Sequence, residues 1–548
     1  MKVLLVHPPF SFPTRLYASL SILLGQLQNR NIDADAIDMN VEFLKEILSV
    51  EYIKKTKLKL EKMYEENPEN KEFRDAVDSY FQKNDVFDEI INNNKNLYSY
   101  LIDKTVVGEN KRLLSYALSL AFLPTFPSRI SLLLSNYNRI LLERNPDFKY
   151  NYAEIVEKCS NRAKNIYIEF FEKKIKEINI EQYDLVAISV PFETHLYPAL
   201  TLAKIIKEKT SAKVAIGGVL INGTIESYIK HDDMLDSFAD VFLVGEGERA
   251  LPEYIEFLEG KRPLSKVSGA VYKENGVVKN NGLSLISSVN EIKPLSIKGI
   301  NLDDYVDQVI DLEFSKGCYW GKCAYCYSNR QKRYHLFDVK KAVDVFENLE
   351  KEYGIKRFNI LDDSLNPKFA EQFADEILRR KLNIEYKVFL RFEKFFNKDI
   401  LAKLRKSGLN GIYFGLESAS PRILKLMNKG IDIKQAERIL QDCYELNIEV
   451  SVGVMFGYPT ETEEDIVTTL EFLKKYSHCM AGQNLFYFTL LKSSGLMSNL
   501  SKVGIVKTID YEEFSEYLIH KGPCITRKRL NEILREHGFA ALNIYPKW

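Results

Sequence analysis

Three of the seven cysteines, Cys318, Cys323 and Cys326, stand within nine residues and follow an apolar, strand-like run, Val309–Phe314. Thiolates grouped on one loop in this way are typical of a soft-metal site or of redox chemistry. A closed structural zinc site takes four ligands, and neither a fourth cysteine nor a well-spaced pair of histidines stands nearby. An iron–sulfur cluster held by three cysteines leaves one iron open to a cofactor or substrate, as a catalytic centre requires. The spacing therefore favours an iron–sulfur cluster, with structural zinc or a redox pair as the alternatives.

The stretch Gly317–Cys326, with the aromatic Tyr325 before its last cysteine, resembles the cysteine loop of the radical S-adenosylmethionine (SAM) enzymes. It departs from that family in its first gap, where Tyr319–Lys322 makes four residues and the family has three. Because glycine tolerates conformations closed to other residues, we expect the loop to bulge at Gly321. The resemblance implies that the three cysteines hold a [4Fe-4S] cluster whose open iron binds SAM.

Beyond the cysteines, helical and strand-like segments alternate. With the strand before the cysteines they predict six parallel strands in a partial (β/α)6 barrel, whose active-site residues project from the carboxyl ends of the strands. The predicted strands after the cysteines are Arg357–Leu361, Glu385–Arg391, Gly411–Gly415, Glu449–Phe456 and Leu485–Leu491. The predicted helices are Val339–Tyr353, Phe369–Arg380, Lys398–Ser407, Ile433–Leu446 and Glu463–Lys474.

The ends of four of these strands carry residues that match the SAM-binding positions of the radical SAM family. A carboxylate suits an ammonium group, and a guanidinium suits a carboxylate. The implied SAM contacts are Asp362 and Asp363 for the amino group, Arg391 for the carboxylate, Glu417 and Ser418 for the ribose, Met455 on the adenine strand, and the backbone of Tyr325. No residue is assigned as catalytic.

The N-terminal half also alternates strands and helices, beginning with Lys2–His7 and resuming at Tyr183 after a break near residue 45. This order resembles the cobalamin-binding domain that precedes many radical SAM cores. It implies a Rossmann-like domain at 1–260, a connector at 261–304, the barrel at 305–480 and an α/β extension at 481–548 that covers the barrel. The implied cobalamin contacts are Pro8, Pro9, Ser189, Gly217, Gly218, Gly245 and Glu246.

The Asp-x-His-x-x-Gly motif that supplies a cobalt-binding imidazole in other cobalamin proteins is absent. His7 and His195 stand at strand ends, but a single histidine at such a place is more often structural. We therefore expect no histidine ligand to cobalt, and a domain without the cofactor stays open as the alternative.

A lysine-, glutamate- and tyrosine-rich interruption at about 45–175 is predicted to be a helical insertion, including its apolar part Leu113–Leu142. It is either a structural cap or a lid or docking surface for a substrate or partner. In the C-terminal extension, Tyr511–His520 and Lys528–His537 are predicted to be helices.

The overall composition excludes some functional classes. Lys plus Arg and Asp plus Glu both number 76 in 548 residues, which leaves a formal net charge of +0 and no electrostatic footprint for nucleic acid. The other cysteines are scattered and do not form a disulfide framework. The most apolar stretch, Leu113–Leu134, is broken by two prolines and an arginine and is a poor membrane span. We expect a cytoplasmic protein with no nucleic-acid partner and no membrane span.

The predicted activity follows from the two resemblances. In such enzymes an electron from the reduced cluster cleaves SAM to methionine and a 5′-deoxyadenosyl radical, and the barrel shields that radical. We expect a cobalamin-dependent methyltransferase that acts on an unactivated carbon of a peptide or small natural product, with a flavodoxin- or ferredoxin-type electron donor. The alternatives are a rearrangement, cyclisation or other non-methylating radical reaction, and a non-catalytic metal-binding partner protein.

Overall fold

The protein is described by a computed structural model. It describes residues 1–66, 150–163, 165–288, 291–327, 334–510 and 512–542 throughout, and only short stretches between 67 and 149. The chain divides into two compact units. The first comprises Met1–Ser287, Glu291–Gln308 and Glu512–Ser515, and the second comprises Ser288–Asn290, Val309–Tyr511 and Glu516–Trp548.

The first unit is built on a seven-stranded sheet in the order β2-β1-β3-β4-β5-β6-β7. Its strands are β1 Lys2–His7, β2 Asp33–Asp38, β3 Leu185–Ser189, β4 Lys213–Gly217, β5 Val241–Leu243, β6 Ala270–Glu274 and β7 Val277–Asn280. The first five are parallel, and β6 and β7 are added antiparallel. The helices between the parallel strands and after β5 are Ala18–Gln28, Glu193–Lys209, Val219–Lys230, Met234–Ser237 and Gly247–Leu258, apart from those of the interruption described below.

With right-handed crossovers, this strand order places helices on both faces of the sheet, as parallel sheets require. In β1, all four residues from Val3 to Val6 are buried, so the strand is a continuous apolar run. From β1 the chain proceeds to β2 on one side of the sheet, and from β3 it proceeds to β4 on the other side. The carboxyl ends of β1 and β3 therefore form a topological switch point, where doubly wound folds bind ligands. The predicted Rossmann-like arrangement is confirmed.

The interruption between β2 and β3 is helical where the structure describes it, with one exception. Its helices are Met39–Ile47, Val50–Glu66, Asn84–Asn92, Leu97–Ile102, Tyr152–Ser160 and Ile166–Glu177. Leu133–Leu134 and Ile140–Leu141 instead pair as a short antiparallel ladder. The prediction of helix throughout Leu113–Leu142 is therefore wrong in this part, because leucine and isoleucine runs of this length suit either structure. Most of the apolar stretch lies outside the described residues.

The second unit is built on a six-stranded, all-parallel sheet in the order β8-β9-β10-β11-β12-β13. Its strands are β8 Ile310–Leu312, β9 Arg357–Ile360, β10 Glu385–Leu390, β11 Leu409–Glu417, β12 Glu449–Phe456 and β13 Gly482–Tyr487. The connecting helices are Val339–Tyr353, Pro367–Arg380, Lys398–Lys406, Pro421–Leu426, Ile433–Glu445 and Glu463–Lys475. The predicted partial barrel is confirmed, with strand bounds shifted by a few residues.

One face of this sheet packs against the helices. In β10 the side chains of Tyr386, Val388 and Leu390 are buried, whereas Lys387 and Phe389 on the other face are exposed. The same period-two alternation places Tyr413 and Gly415 of β11 on the less buried face of the sheet.

The C-terminal extension contains a three-stranded antiparallel sheet of Leu490–Leu491, Tyr517–Lys521 and Lys507–Ile509, and a helix, Arg527–Glu536. The helix predicted at Lys528–His537 is confirmed. The helix predicted at Tyr511–His520 is wrong, because the end of this stretch pairs with two strands that no local pattern identifies. Among the described residues, no helix has the length and apolar character needed to cross a membrane.

Candidate functional site

The cysteine loop begins directly after β8 and is anchored there by the carboxylate of Asp362, at the end of β9. Oδ1 accepts hydrogen bonds from the backbone N–H of Phe314 (2.7 Å) and Ser315 (3.2 Å). Oδ2 accepts one from the Ser315 hydroxyl at 2.8 Å. Asp362 is only 1 % exposed, and this burial raises its pKa to about 6. Its visible role is to hold the start of the loop; contact with the SAM amino group stays a prediction.

A second segment, Met427–Gly430, fastens the middle of the loop. The Ala324 N–H donates to the Met427 carbonyl at 2.8 Å. The Asn428 side chain donates to the Lys322 carbonyl at 2.9 Å, and the Trp320 indole N–H donates to the Asn428 carbonyl at 3.0 Å. These bonds fix the loop within its first gap and just after Cys323.

The C-terminal extension holds the end of the same loop. The Ser494 hydroxyl donates to the Tyr325 carbonyl at 3.0 Å, and the Gly495 N–H donates to the Cys326 carbonyl at 3.3 Å. The ring of Tyr325 packs against a buried cluster that contains residues of both the barrel and the extension. These contacts join the extension to the cysteine loop; that it covers the barrel stays a prediction.

Cys323 is the most enclosed of the three cysteines and lies beside two cations. It is 9 % exposed, and burial raises the pKa of its thiol, while Lys429 and Arg391 act in the opposite direction. The Arg391 Nη1–H points to Cys323 Sγ at 3.9 Å. Positive charge next to a thiol stabilises the thiolate, which is the form that binds metal.

The donor set fits an iron–sulfur cluster in its chemistry. Three soft sulfur donors lie on one loop, and neighbouring cations compensate the negative charge of a thiolate-ligated cluster. Within the described part of the chain, no group of three or more His, Cys, Asp or Glu residues is arranged so that it could hold a metal ion. Ligation by Cys318, Cys323 and Cys326 therefore stays a prediction.

Glu417, at the end of β11, forms a buried ion pair that the sequence alone does not reveal. Its Oε1 lies 2.8 Å from Nζ of Lys429, and the same Nζ lies 3.3 Å from the Tyr325 hydroxyl. The side chains of Lys429 and Glu417 are 8 % and 18 % exposed. Glu417 has a φ of +65°, an uncommon backbone conformation for a residue other than glycine, of the kind that clusters at functional sites.

The inner wall of the barrel next to Glu417 is made of glycine. Gly415 of β11 lies directly opposite Gly453 of β12. A Cβ on Gly453 would come within 2.5 Å of the Tyr413 hydroxyl, and one on Gly415 within 2.7 Å of Glu417 Oε1. The side chains of Tyr413, Glu417 and Lys429 therefore lie over the two glycines, which leave room for them. Met455, half-buried, follows on the same face, and its contact with the adenine stays a prediction.

The remaining predicted SAM contacts lie in two different settings. Asp363 is exposed, and its Oδ1 accepts a hydrogen bond from the Tyr327 hydroxyl at 2.8 Å. Ser418 is fully buried, and its hydroxyl pairs with that of Thr469 at 3.2 Å. Asp363 is thus accessible, whereas the Ser418 side chain is committed to internal packing; their SAM contacts stay predictions.

In the first unit, the predicted cobalamin contacts gather at the carboxyl edge of the sheet. Gly218 and Gly245 have φ values of +115° and +99°, and a Cβ at either would lie within 2.4 Å of a backbone oxygen of Val190 or Ser284. The chain's own backbone therefore requires these glycines, whether or not a cofactor approaches them. Glu246 is likewise occupied, because its carboxylate accepts a hydrogen bond from the backbone of Ile286.

Two features of this edge fit a large, partly apolar ligand. Phe192 and Val219, just beyond β3 and β4, are 59 % and 60 % exposed. The buried rings of His7 and His195 lie 5.0 Å apart between their centroids. His7 Nδ1 and His195 Nε2 have no hydrogen-bond partner among the described residues. Pro8 and Pro9 follow His7, and Ser189 ends β3 at the same edge.

Glu461, which follows β12, is a buried carboxyl group that sequence reasoning missed. It is 5 % exposed, its Oε2 accepts a hydrogen bond from the Gly457 N–H at 2.5 Å, and its Oε1 has no partner among the described residues. Burial raises its pKa to about 8. The group is therefore mainly protonated at neutral pH.

This pKa predicts a pH-dependent stability. The pKa of the Glu461 carboxyl is about 4.3 in the unfolded state and about 8 in the folded state. Between these pH values the folded state binds more protons than the unfolded state, so the free energy of unfolding falls as pH rises. We expect Glu461→Gln to remove about 3–4 kcal/mol of the decrease in unfolding free energy between pH 5 and pH 8. Urea unfolding of both proteins across that range measures it, with the exposed Glu464→Gln as control. Parallel profiles for wild type and Glu461→Gln would refute this assignment.

Comparison with known proteins agrees with this geometry. Residues 312–473 match the model of the Radical SAM superfamily. An uncharacterized methyltransferase of Pyrococcus horikoshii is 31 % identical over 301 residues, which are 53 % of this chain and 64 % of the relative. The hopanoid C-3 methylase of Methylococcus capsulatus is 21 % identical, over 58 % of this chain and 62 % of the relative. The chain thus spans less than two thirds of these relatives' length.

Two solved structures share the fold over most of the chain. The cobalamin-dependent SAM radical enzyme OxsB, with aqua-cobalamin and SAM bound, superimposes with a TM-score of 0.61 at 15 % identity, over 97 % of this chain and 66 % of OxsB. The radical SAM methyltransferase TsrM of Kitasatospora setae, with cobalamin and a [4Fe-4S] cluster bound, gives a TM-score of 0.54 at 15 % identity, over 90 % and 73 %. Residues 312–473 thus match the radical SAM domain, in a chain that shares its fold with cobalamin-binding radical SAM enzymes.

Proposed function

We propose that this protein is a radical SAM enzyme, and that it is a cobalamin-dependent methyltransferase acting on an unactivated carbon of a small molecule or peptide. The observation that carries the proposal is the cysteine loop, which is held by Asp362, by Met427–Gly430 and by the C-terminal extension, with the cations of Arg391 and Lys429 next to Cys323. When bound at this loop, a [4Fe-4S] cluster supplies the electron that cleaves SAM reductively.

The chain's own residues have separate tasks in this proposal. Cys318, Cys323 and Cys326 hold the cluster, and Arg391 and Lys429 compensate its charge. Glu417, paired with Lys429 over the glycines of β11 and β12, positions the adenosine. The buried cluster of barrel and extension residues behind Tyr325 keeps water from that side of the site, which a radical reaction requires.

The methyl transfer and the cobalamin are inferred from the relatives and from the sheet edge. Relatives named as methyltransferases match a little more than half of this chain in sequence, and the cobalamin-bound structures share its fold. The exposed Phe192 and Val219 give the edge of the first sheet an apolar surface, which suits a corrin ring. We further propose that the protein works in the cytoplasm with a flavodoxin- or ferredoxin-type electron donor.

The products of SAM distinguish methyl transfer from other radical reactions. Anaerobic protein, reconstituted with iron, sulfide and hydroxocobalamin and supplied with SAM and a reductant, should form both 5′-deoxyadenosine and S-adenosylhomocysteine. Formation of 5′-deoxyadenosine alone would contradict methyl transfer while leaving the radical SAM assignment in place. Omitting cobalamin is the control, and it should suppress S-adenosylhomocysteine selectively.

A non-methylating reaction is the second candidate, because two other relatives carry such names. The anaerobic magnesium-protoporphyrin IX monomethyl ester cyclase of Rubrivivax gelatinosus is 24 % identical over 50 % of this chain. The 4′-phospho-dehydrooxetanocin synthase of Priestia megaterium is 23 % identical over 55 % of it. For this candidate, 5′-deoxyadenosine should form without S-adenosylhomocysteine.

A further inference from the structure

The four-residue first gap of the cysteine loop contains Trp320, and the indole of Trp320 packs at a defined position. A Cβ on Gly430 would lie 2.1 Å from the indole carbon Cζ2 of Trp320, so the ring rests directly on the backbone of Gly430. Gly430 also has a φ of +70°. Both the contact and the backbone conformation favour glycine at this position.

The same indole covers the guanidinium of Arg391. The Arg391 Cζ lies 4.3 Å from the centre of the Trp320 ring, within the range of a cation–π interaction. Arg391 is only 4 % exposed, so this contact forms in a largely desolvated place, where it is worth most.

Each nitrogen of this guanidinium is directed to a protein group. Nε donates to Glu393 Oε1 at 2.9 Å, Nη2 donates to the Lys429 carbonyl at 2.5 Å, and Nη1 points to Cys323 Sγ at 3.9 Å. With the indole over its face, the guanidinium is held in one orientation, with a positive charge and an N–H directed at a cysteine sulfur.

We propose that Trp320 is a positioning residue that holds Arg391 against Cys323 and thereby raises the reduction potential of the cluster. Hydrogen bonds to the sulfurs and the net local charge are among the factors that set the potential of an iron–sulfur cluster. A nearby cation stabilises the reduced, more negative state. The inference rests on the proposed function, because it requires the cluster on this loop. The proposed role also accounts for the irregular spacing of the cysteines, because the longer first gap contains Trp320.

The test is a redox titration of the reconstituted full-length protein, followed by electron paramagnetic resonance of the reduced cluster. Trp320→Ala should lower the equilibrium constant for one-electron reduction about tenfold, which corresponds to about 59 mV. Gly430→Ala, which displaces the indole without removing it, should lower it in the same direction. Trp320→Phe retains an aromatic face and should have a smaller effect. Trp548→Phe, which changes the second of the two tryptophans in the sequence, should have none.

Potentials of Trp320→Ala and Gly430→Ala equal to wild type, with a full complement of cluster, would overturn the proposal. If either variant fails to assemble a cluster, tryptophan fluorescence tests the contact between Trp320 and Arg391 instead. In a Trp548→Phe background Trp320 is the single tryptophan, and Arg391→Gln should change its emission; an unchanged emission would equally overturn the proposal. A wild type that forms no cluster refutes the proposed function, whereas the fluorescence result still reports on the contact between Trp320 and Arg391.

Discussion

Replacing Cys323 by serine is expected to abolish SAM cleavage and the iron content that supports it. Cys323 is the enclosed cysteine of the loop and has Arg391 at 3.9 Å from its sulfur. Serine is close to cysteine in size, so the fold should survive, but a hydroxyl is a poor ligand for a soft cluster iron. Loss of a residue that only supports a ligand costs about 10–100-fold in metal affinity or activity. Loss of the ligand itself should exceed ~100-fold.

The measurement is iron and sulfide analysis of the anaerobically reconstituted variant, together with its rate of 5′-deoxyadenosine formation. Cys479→Ser is the matched control, because this cysteine is also buried, at 4 % exposure, and its sulfur lies 3.8 Å from Gln441 Oε1. The control should keep cluster and activity. A Cys323→Ser protein with wild-type iron and SAM cleavage would mean that the cluster is held elsewhere.

Replacing Asp362 by alanine should destabilise the second unit by about 3–5 kcal/mol, because three donors to a buried carboxylate would lose their acceptor. The start of the cysteine loop would lose its anchor at the same time, so cluster content should fall as well. Asp362→Asn keeps the Oδ1 acceptor and should cost much less. The adjacent, exposed Asp363→Ala is the control for the local change of charge.

Urea unfolding followed by circular dichroism gives these differences at pH 7. The expected order of stability is Asp363→Ala and Asp362→Asn close to wild type, and Asp362→Ala far below them. If Asp362→Ala unfolds at the same urea concentration as Asp363→Ala, the buried carboxylate is not the anchor inferred from its hydrogen bonds.

The sequence is informative wherever a local pattern determines the structure. The strands of the barrel are identifiable because short apolar segments alternate with helical segments of regular length. The cysteine loop is identifiable because three cysteines within nine residues are typical of few kinds of site. The ladder at Leu133–Leu134 and Ile140–Leu141 is not identifiable in this way, and neither is the strand Tyr517–Lys521. In both cases the pairing partner decides between helix and strand.

The candidate site depends on contacts between residues far apart in the chain, which a single sequence does not display. Lys429 pairs with Glu417 and Trp320 covers Arg391 only after β10, β11 and the cysteine loop have been brought together. The glycines at the edge of the first sheet show the opposite case. Their positions are recognisable, but the structural reason for Gly218 and Gly245 is the approach of their own chain's backbone.

The most direct test of the central claim is the fate of SAM in the wild-type protein. Protein reconstituted anaerobically with iron and sulfide, reduced with dithionite and incubated with SAM, is analysed by liquid chromatography and mass spectrometry. A radical SAM enzyme with its cluster on Cys318, Cys323 and Cys326 is predicted to form methionine and 5′-deoxyadenosine in equal amounts, dependent on the reductant. Intact SAM in the presence of a fully assembled cluster, or one zinc per chain in place of iron, would contradict the assignment.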